Sequence, residues 1–113
     1  MVYIREAHPS NAWQMSSNVR EAVVFADPNT AAERSDVAGT CVRKLHIEIP
    51  AVMDDVRNTT EAAYTAWPDR LYVIGGDGRV VSKSAPGPFG FDPKGVEEAL
   101  QRLAARGSSA PLP

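Results

Sequence analysis

Two β-rich runs, Arg70 to Ile74 and Arg79 to Ser82, stand on either side of Gly75-Gly76-Asp77-Gly78. A Gly/Asp turn between strand-forming runs specifies an antiparallel hairpin, because glycine takes the positive φ that tight hairpin turns require. The element that covers this hairpin is legible downstream. Asp92 reads as an N-cap, Pro93 as the first helical residue, and Val96, Ala99, Leu100 and Leu103 recur at helical spacing, with Gly107 just past the end.

Upstream the pattern changes to alternating strands and helices. Val2 to Ile4 predicts a buried strand, and Glu6-Ala7-His8-Pro9-Ser10-Asn11 the loop leaving it, with Trp13 and Met15 covering that loop. A short apolar run, Ala22 to Phe25, precedes Asp27-Pro28-Asn29 and then Thr30-Ala31-Ala32-Glu33, a capping box that opens a helix. Ala38, Cys41, Val42 and Leu45 place one apolar face on that helix. Pro50 interrupts the next strand, so Ala51-Val52-Met53 is its paired part, ending at Asp54-Asp55. Asn58 with Glu61 resembles a second cap, for a short helix through Tyr64. The order is strand, helix, strand, short helix, hairpin, helix. This is an α/β pattern with an antiparallel edge, and the first connection is long enough for a parallel crossover.

A chain of 113 residues, 43% apolar, suits one compact domain. Its net charge of −2, from 12 basic and 14 acidic residues spread along the sequence, leaves no basic patch for nucleic acid or an anionic membrane. The apolar runs fall far short of the roughly 20 residues that span a bilayer, and no signal peptide is visible, so a cytoplasmic location is expected. Cys41 is the single cysteine, which excludes an internal disulfide and a Cys-rich zinc site. Two histidines without helical His-x3-His spacing argue against any metal centre.

The element order is similar to the rear part of a thioredoxin-like domain, and the motifs narrow it further. Tyr3-Ile4-Arg5-Glu6-Ala7-His8-Pro9-Ser10 resembles the Y-I-E-E-A-H-P-S segment of the iodothyronine deiodinases. The likeness continues through Ile49-Pro50-Ala51-Val52-Met53-Asp54, Trp67-Pro68-Asp69-Arg70-Leu71-Tyr72-Val73-Ile74 and Gly87-Pro88-Phe89-Gly90-Phe91, covering the chain from Val2 to about Leu103. It implies a thioredoxin-like α/β sheet with flanking helices, lacking the first strand and first helix. Residues 1–106 would form this partial domain and 107–113 a disordered tail.

Deiodinases carry a selenocysteine, or a cysteine in some bacterial relatives, on the turn after their first thioredoxin strand. The resemblance therefore implies a nucleophile upstream of Met1, on a strand lying between those of Val2 to Ile4 and Arg70 to Ile74. Each buried rung without its partner would cost about 1–3 kcal/mol. Against a typical total of roughly 5–15 kcal/mol that is a severe deficit, so an incomplete domain is expected. An in-frame stop codon read as selenocysteine would explain a start at Met1. Upstream nucleotides holding neither a stop nor a cysteine codon in matching context would refute this.

Reductive removal of an aryl halide needs a soft nucleophile to take the halogen and an acid to protonate the ring carbon, and histidine titrates near neutral pH. The resemblance gives His8 proton supply or substrate binding, with Glu6 fixing its tautomer; a loop histidine held by local backbone and a solvated carboxylate are the plain alternatives. Pro68 precedes the hairpin strand where thioredoxin-like folds place a cis-proline. Arg70 matches the family arginine assigned to a substrate carboxylate through a bidentate pair, against the alternative of an edge-strand arginine in solvent. Trp13, Trp67 and Phe89 fit either an aromatic wall for a ring-bearing substrate or core and loop anchors. Cys41, on an apolar helix face and outside any Cys-x-x-Cys, reads as an inert thiol. His46 sits at a helix end, where a cation favours the dipole.

Vertebrate deiodinases place a second histidine where this sequence has Asp27-Pro28-Asn29, which weighs against iodothyronine itself as the substrate. The expectation is a bacterial-type, deiodinase-like oxidoreductase, represented by its C-terminal part and inactive alone. In the complete protein a selenolate or thiolate attacks an iodinated phenol or tyrosine derivative, His8 helps protonate the ring, and a thiol reductant restores the nucleophile without further cofactor. A non-catalytic thioredoxin-like module binding through the Pro68 loop is the rival. A thiol peroxidase or thiol-disulfide oxidoreductase is the third reading, since one scaffold hosts all of these.

Overall fold

In the computed structural model, which describes residues 1–109, the opening apolar run forms β1 (Val2–Tyr3) and pairs in parallel with β2 (Val52–Met53). Val2 lies opposite Val52 and Tyr3 opposite Met53. Parallel neighbours require a long crossover, and this one carries α1 (Ser16–Arg20) and α2 (Ala31–Lys44). The chain groups into two compact units, Met1–Trp67 and Pro68 onward. The class is mixed α/β, with two small sheets and flanking helices, as the sequence predicts.

In the first unit α2 begins as expected. Thr30 Oγ1 accepts the Glu33 amide at 3.1 Å, and Glu33 Oε2 accepts the amide of Asn29 at 2.9 Å. At its other end His46 stands in the left-handed region with φ 51°, its amide reaching Arg43 O, while Ile47 N–H reaches Val42 O at 3.0 Å. This is a Schellman turn in which histidine takes the place glycine usually fills. The expected apolar face is only partly covered, since Leu45 is exposed. The buried residues of this unit are Val23, Pro28, Arg34 and Asp54, so half of them are charged. The run Ala22 to Phe25 forms no strand, because Ala22 has φ 54° and closes α1 through Val23 N–H to Asn18 O.

The short helix α3 (Thr59–Tyr64) is present, but its expected cap is wrong. Asn58 has φ 59° and makes no side-chain cap bond. Asp54 and Asp55 do the capping instead: Asp54 accepts the amides of Asp55, Thr60 and Glu61 at 2.8–2.9 Å, and Asp55 accepts those of Arg57 and Thr59 at 3.0 Å. Carboxylates win here because they accept several amides at once and their charge opposes the positive helix start. Glu61 turns instead to Arg5, 3.7 Å away.

The second unit holds the hairpin, β3 (Tyr72–Ile74) and β4 (Val80–Lys83), antiparallel with an irregularity where Val73 faces Ser82 and Ile74 faces Val80. Gly78 supplies the positive φ of the turn, at 80°. Helix α4 (Pro93–Ser109) starts where Asp92 Oδ1 accepts Gly95 N–H at 3.0 Å and contacts both strands. Val73 and Ala99 are buried, whereas Leu100, expected on the inner face, is exposed; the inward stripe runs Val96, Ala99, Leu103. The helix continues through Gly107 to Ser109, past the start of the tail expected over 107–113, and residues 110–113 lie outside the described residues. The Trp67–Pro68 bond is trans, the form X–Pro bonds prefer by about 0.5–1 kcal/mol. The cis bond falls at Gly87–Pro88 instead. Among the described residues no helix is long and apolar enough to cross a membrane.

Candidate functional site

Where β1 ends, the chain turns and brings three polar side chains into one short loop. The Tyr3 hydroxyl donates to Glu6 Oε1. Burial raises the Glu6 carboxyl above its ordinary range, and Asp27's charge adds to this, while the Tyr3 bond and the charges of Arg34 and His8 pull it down. The Tyr3 phenol is also raised, by burial first and then by its bond to Glu6 and the charge there. The pair therefore resists losing its protons.

His8 Nδ1 lies 3.0 Å from the carbonyl oxygen of Trp13. A carbonyl only accepts, so Nδ1 carries the hydrogen and Nε2 is left outside this bond. The Trp13 indole meets the imidazole edge-on, with centroids 5.0 Å apart at 67°, although the indole itself is 72% exposed. The expected partnership of Glu6 with His8 is thus corrected: Glu6 bonds Tyr3, and the Trp13 carbonyl fixes the imidazole. The turn wins because Trp13 O sits five residues on, within direct reach of the ring. Ser10 N–H to Phe25 O at 2.8 Å and Ala12 N–H to Pro9 O at 2.9 Å hold that turn, with Gln14 Nε2 donating to the carbonyls of Pro9 and Ala12.

Two residues that sequence reasoning passed over belong with this cluster. Tyr3 is one, and its position three residues before Glu6 was the available sign. Arg34 is the other: it is buried, donates from Nη1 to Asp55 O, and its charge bears on both Tyr3 and Glu6. Its signal was a charged residue on the helical stripe of Ala38, Cys41 and Leu45. Cys41 is half-buried and lines an open cavity of about 370 Å³ with Tyr3, Ala38 and Met53. Burial and the Glu6 charge push its thiol up against the opposing effect of Lys44, so at neutral pH it stays protonated and weakly nucleophilic.

The remaining expected site residues are placed as follows. Trp67 lies under the Arg5 guanidinium, 5.0 Å from centroid to carbon, so Trp13 and Trp67 have separate partners. In the second unit Arg70 Nε donates to Ser84 O at 2.9 Å, and Ser84 also exchanges bonds with Leu71. Phe89 is fully exposed. The structure therefore gathers His8, Glu6 and Trp13 in the first unit, while Pro68 and Arg70 belong to the second. Among the described residues no three His, Cys, Asp or Glu side chains stand close enough to share a metal ion.

Comparison with known proteins gives these residues a context. A sequence model of the iodothyronine deiodinase family matches residues 1–104. The chain is 30% identical over 105 residues to type I iodothyronine deiodinase of Xenopus laevis, covering 90% of this chain and 38% of that protein. It is 34% identical over 96 residues to thyroxine 5-deiodinase of Sparus aurata, covering 80% and 32%, and 32% identical over 91 residues to that of Gallus gallus, covering 80% and 33%. The chain thus spans about a third of the length of the curated relatives it matches. No solved structure matches it. With the family model covering nearly all of its residues, this chain belongs to the iodothyronine deiodinase family.

Proposed function

We propose that this chain supplies the acid and substrate-binding groups for reductive dehalogenation of an iodinated aromatic compound. A selenolate or thiolate on residues outside these 113 attacks the iodine. The carbon–iodine bond breaks, its electron pair stays on the ring carbon, and the proton on His8 Nε2 passes to that carbon. Two thiols then reduce the chalcogen–iodine bond, leaving as a disulfide while iodide departs and the chalcogenolate is restored. Two electrons pass from thiol to aryl iodide. Cys41 does not fit the nucleophile's part, because burial keeps its thiol protonated.

The observation that supports the reading is the His8 Nδ1 bond to Trp13 O, which holds the ring and leaves Nε2 outside that bond. In this reading Glu6 and Tyr3 hold a further proton in the same turn, and Trp13 offers its exposed indole to the substrate ring. The fold that this reading implies is thioredoxin-like.

The test is iodide release from an iodotyrosine or iodophenol, with dithiothreitol, by the longer gene product that includes the upstream segment. Thiol-dependent release that falls about a hundredfold or more in His8→Asn is expected, the scale of a lost general acid. Peroxide reduction without iodide release, or no upstream nucleophile at all, overturns the reading.

A further inference from the structure

The loop between β4 and α4 carries a fully solvated aromatic ring on a closed frame. Ser84 N–H bonds Leu71 O at 2.9 Å, Gly87 N–H bonds Asp69 O at 2.9 Å, and Gly90 N–H bonds Pro86 O at 3.1 Å. A side chain at Gly90 would collide with the Ala85 carbonyl, so glycine lets the loop close on itself. Between Gly87 and Gly90, Phe89 is fully exposed, and Phe91 is 57% exposed. Apolar side chains scattered singly over a surface need no explanation. Two of the chain's three phenylalanines on one braced loop form a patch that does.

The charges around the loop indicate what covers it. Over the whole sequence acid and base nearly balance, but the acidic excess lies in residues 1–67, with nine acids against six bases. Residues 68–113 carry six bases against five acids. Lys83 ends β4 and Lys94 lies in the first turn of α4, both exposed, so a cation flanks each end of the aromatic loop. Arg70 Nε donates to Ser84 O where the loop begins. Of the acids beside it, Asp92 accepts the Gly95 amide and the Asp69 carboxyl packs against Gly87. Aromatic rings between lysines suit the boundary of a bilayer, where rings enter the apolar layer and ammonium groups meet anionic headgroups.

We propose that the loop from Pro86 to Phe91 is a peripheral membrane contact, with Phe89 and Phe91 entering the surface of an anionic bilayer and Lys83 and Lys94 holding its headgroups. Contact through one such tip is weak and reversible. It involves neither His8 nor Glu6, so it stands or falls separately from iodide release.

The test is sedimentation of the 113-residue chain with excess vesicles, equimolar phosphatidylserine and phosphatidylcholine against phosphatidylcholine alone. Partition into the anionic vesicles is expected, falling about fivefold in each of Lys83→Gln and Lys94→Gln. Phe89→Ser should lower it about tenfold. No partition into anionic vesicles, equal partition into both lipids, or partition unchanged in Phe89→Ser overturns the proposal. Should the serine variant not fold, Phe89→Trp decides the matter: its emission should move to shorter wavelength with anionic vesicles, by more than that of wild type with Trp13 and Trp67 alone. Emission that lipid does not move overturns the proposal and leaves the loop to a protein partner.

Discussion

The Tyr3 hydroxyl donates to Glu6 Oε1 across the turn that leaves β1, joining a phenol and a half-buried carboxyl whose affinities for protons are both raised. Such a pair sits at the end of β1, and among the described residues no ion pair reaches it. Its consequences are electrostatic before they are catalytic.

The first prediction concerns pH. Burial holds the folded Glu6 carboxyl above its ordinary value of 4.5, so the neutral form is favoured by folding. A raised folded value contributes stability below the unfolded pKa, and that contribution is lost as pH rises through the folded one. Stability from this group should therefore decline upward from about pH 4.5, and Glu6→Gln should flatten the decline. Urea unfolding between pH 4 and pH 7 checks it; a slope identical in wild type and variant refutes it.

Asp54 should behave with the opposite sign. Burial would raise it, but the amides of Glu61, Thr60 and Asp55 outweigh burial and hold the carboxyl below its ordinary 3.8. Its stabilisation is present above that value and is lost as pH falls through the folded one. Asp54→Ala, which strips three amides of their acceptor, should cost about 2–3 kcal/mol at neutral pH. Asn58→Ala should lose less, about 1 kcal/mol, since the Asn58 side chain caps nothing and the cost is that of alanine at a φ of 59°. Denaturant midpoints at pH 7 and pH 3 separate the two residues.

Helix interiors and the hairpin were legible in this sequence, because Thr30 with Glu33, Asp92 with Pro93, and the Gly75 to Gly78 turn are local chemistry. The helix ends were not. Ala22, His46 and Thr65 each take a left-handed conformation that glycine usually marks, so no residue type announced the turn. The cap of α3 was misread for a related reason: Asn58 and Glu61 fit the motif, yet Asp54, six residues before the Thr60 amide, won through tertiary placement. At the site the motif around His8 was visible, but its partners were not. Glu6 is closer in sequence than Trp13, and only the backbone path of residues 9–14 shows that the Trp13 carbonyl arrives first.

Those left-handed residues yield a third prediction. Thr65 has φ 49° and ends α3 with Ala66 N–H on Glu61 O at 3.0 Å. A β-branched residue there is strained, by about 1–2 kcal/mol relative to glycine. Thr65→Gly should raise unfolding stability by about 1 kcal/mol, the gain being reduced by glycine's greater freedom in the unfolded chain. A rise in urea midpoint with unchanged slope is the expected readout, and a fall would mean that the Thr65 side chain holds more than its backbone costs.

The last prediction separates the framework of His8 from its chemistry. Asparagine places its amide nitrogen close to where Nδ1 stands, so His8→Asn retains a donor for Trp13 O while removing Nε2. The turn of residues 9–14, tied by Ser10 to Phe25 and by Gln14 to Pro9, should keep its shape, with stability within about 0.5 kcal/mol of wild type. Glutamine reaches further and cannot meet the same carbonyl without shifting the loop, so His8→Gln should disturb the amide signals of residues 9–14 more than His8→Asn does. In the longer gene product both variants should lose iodide release about a hundredfold or more, because neither titrates. Equal activity in His8→Asn and wild type would leave the imidazole a loop anchor and move proton supply to the Tyr3–Glu6 pair. A loss in His8→Gln alone would show that loop geometry, and not proton transfer, is what the histidine provides.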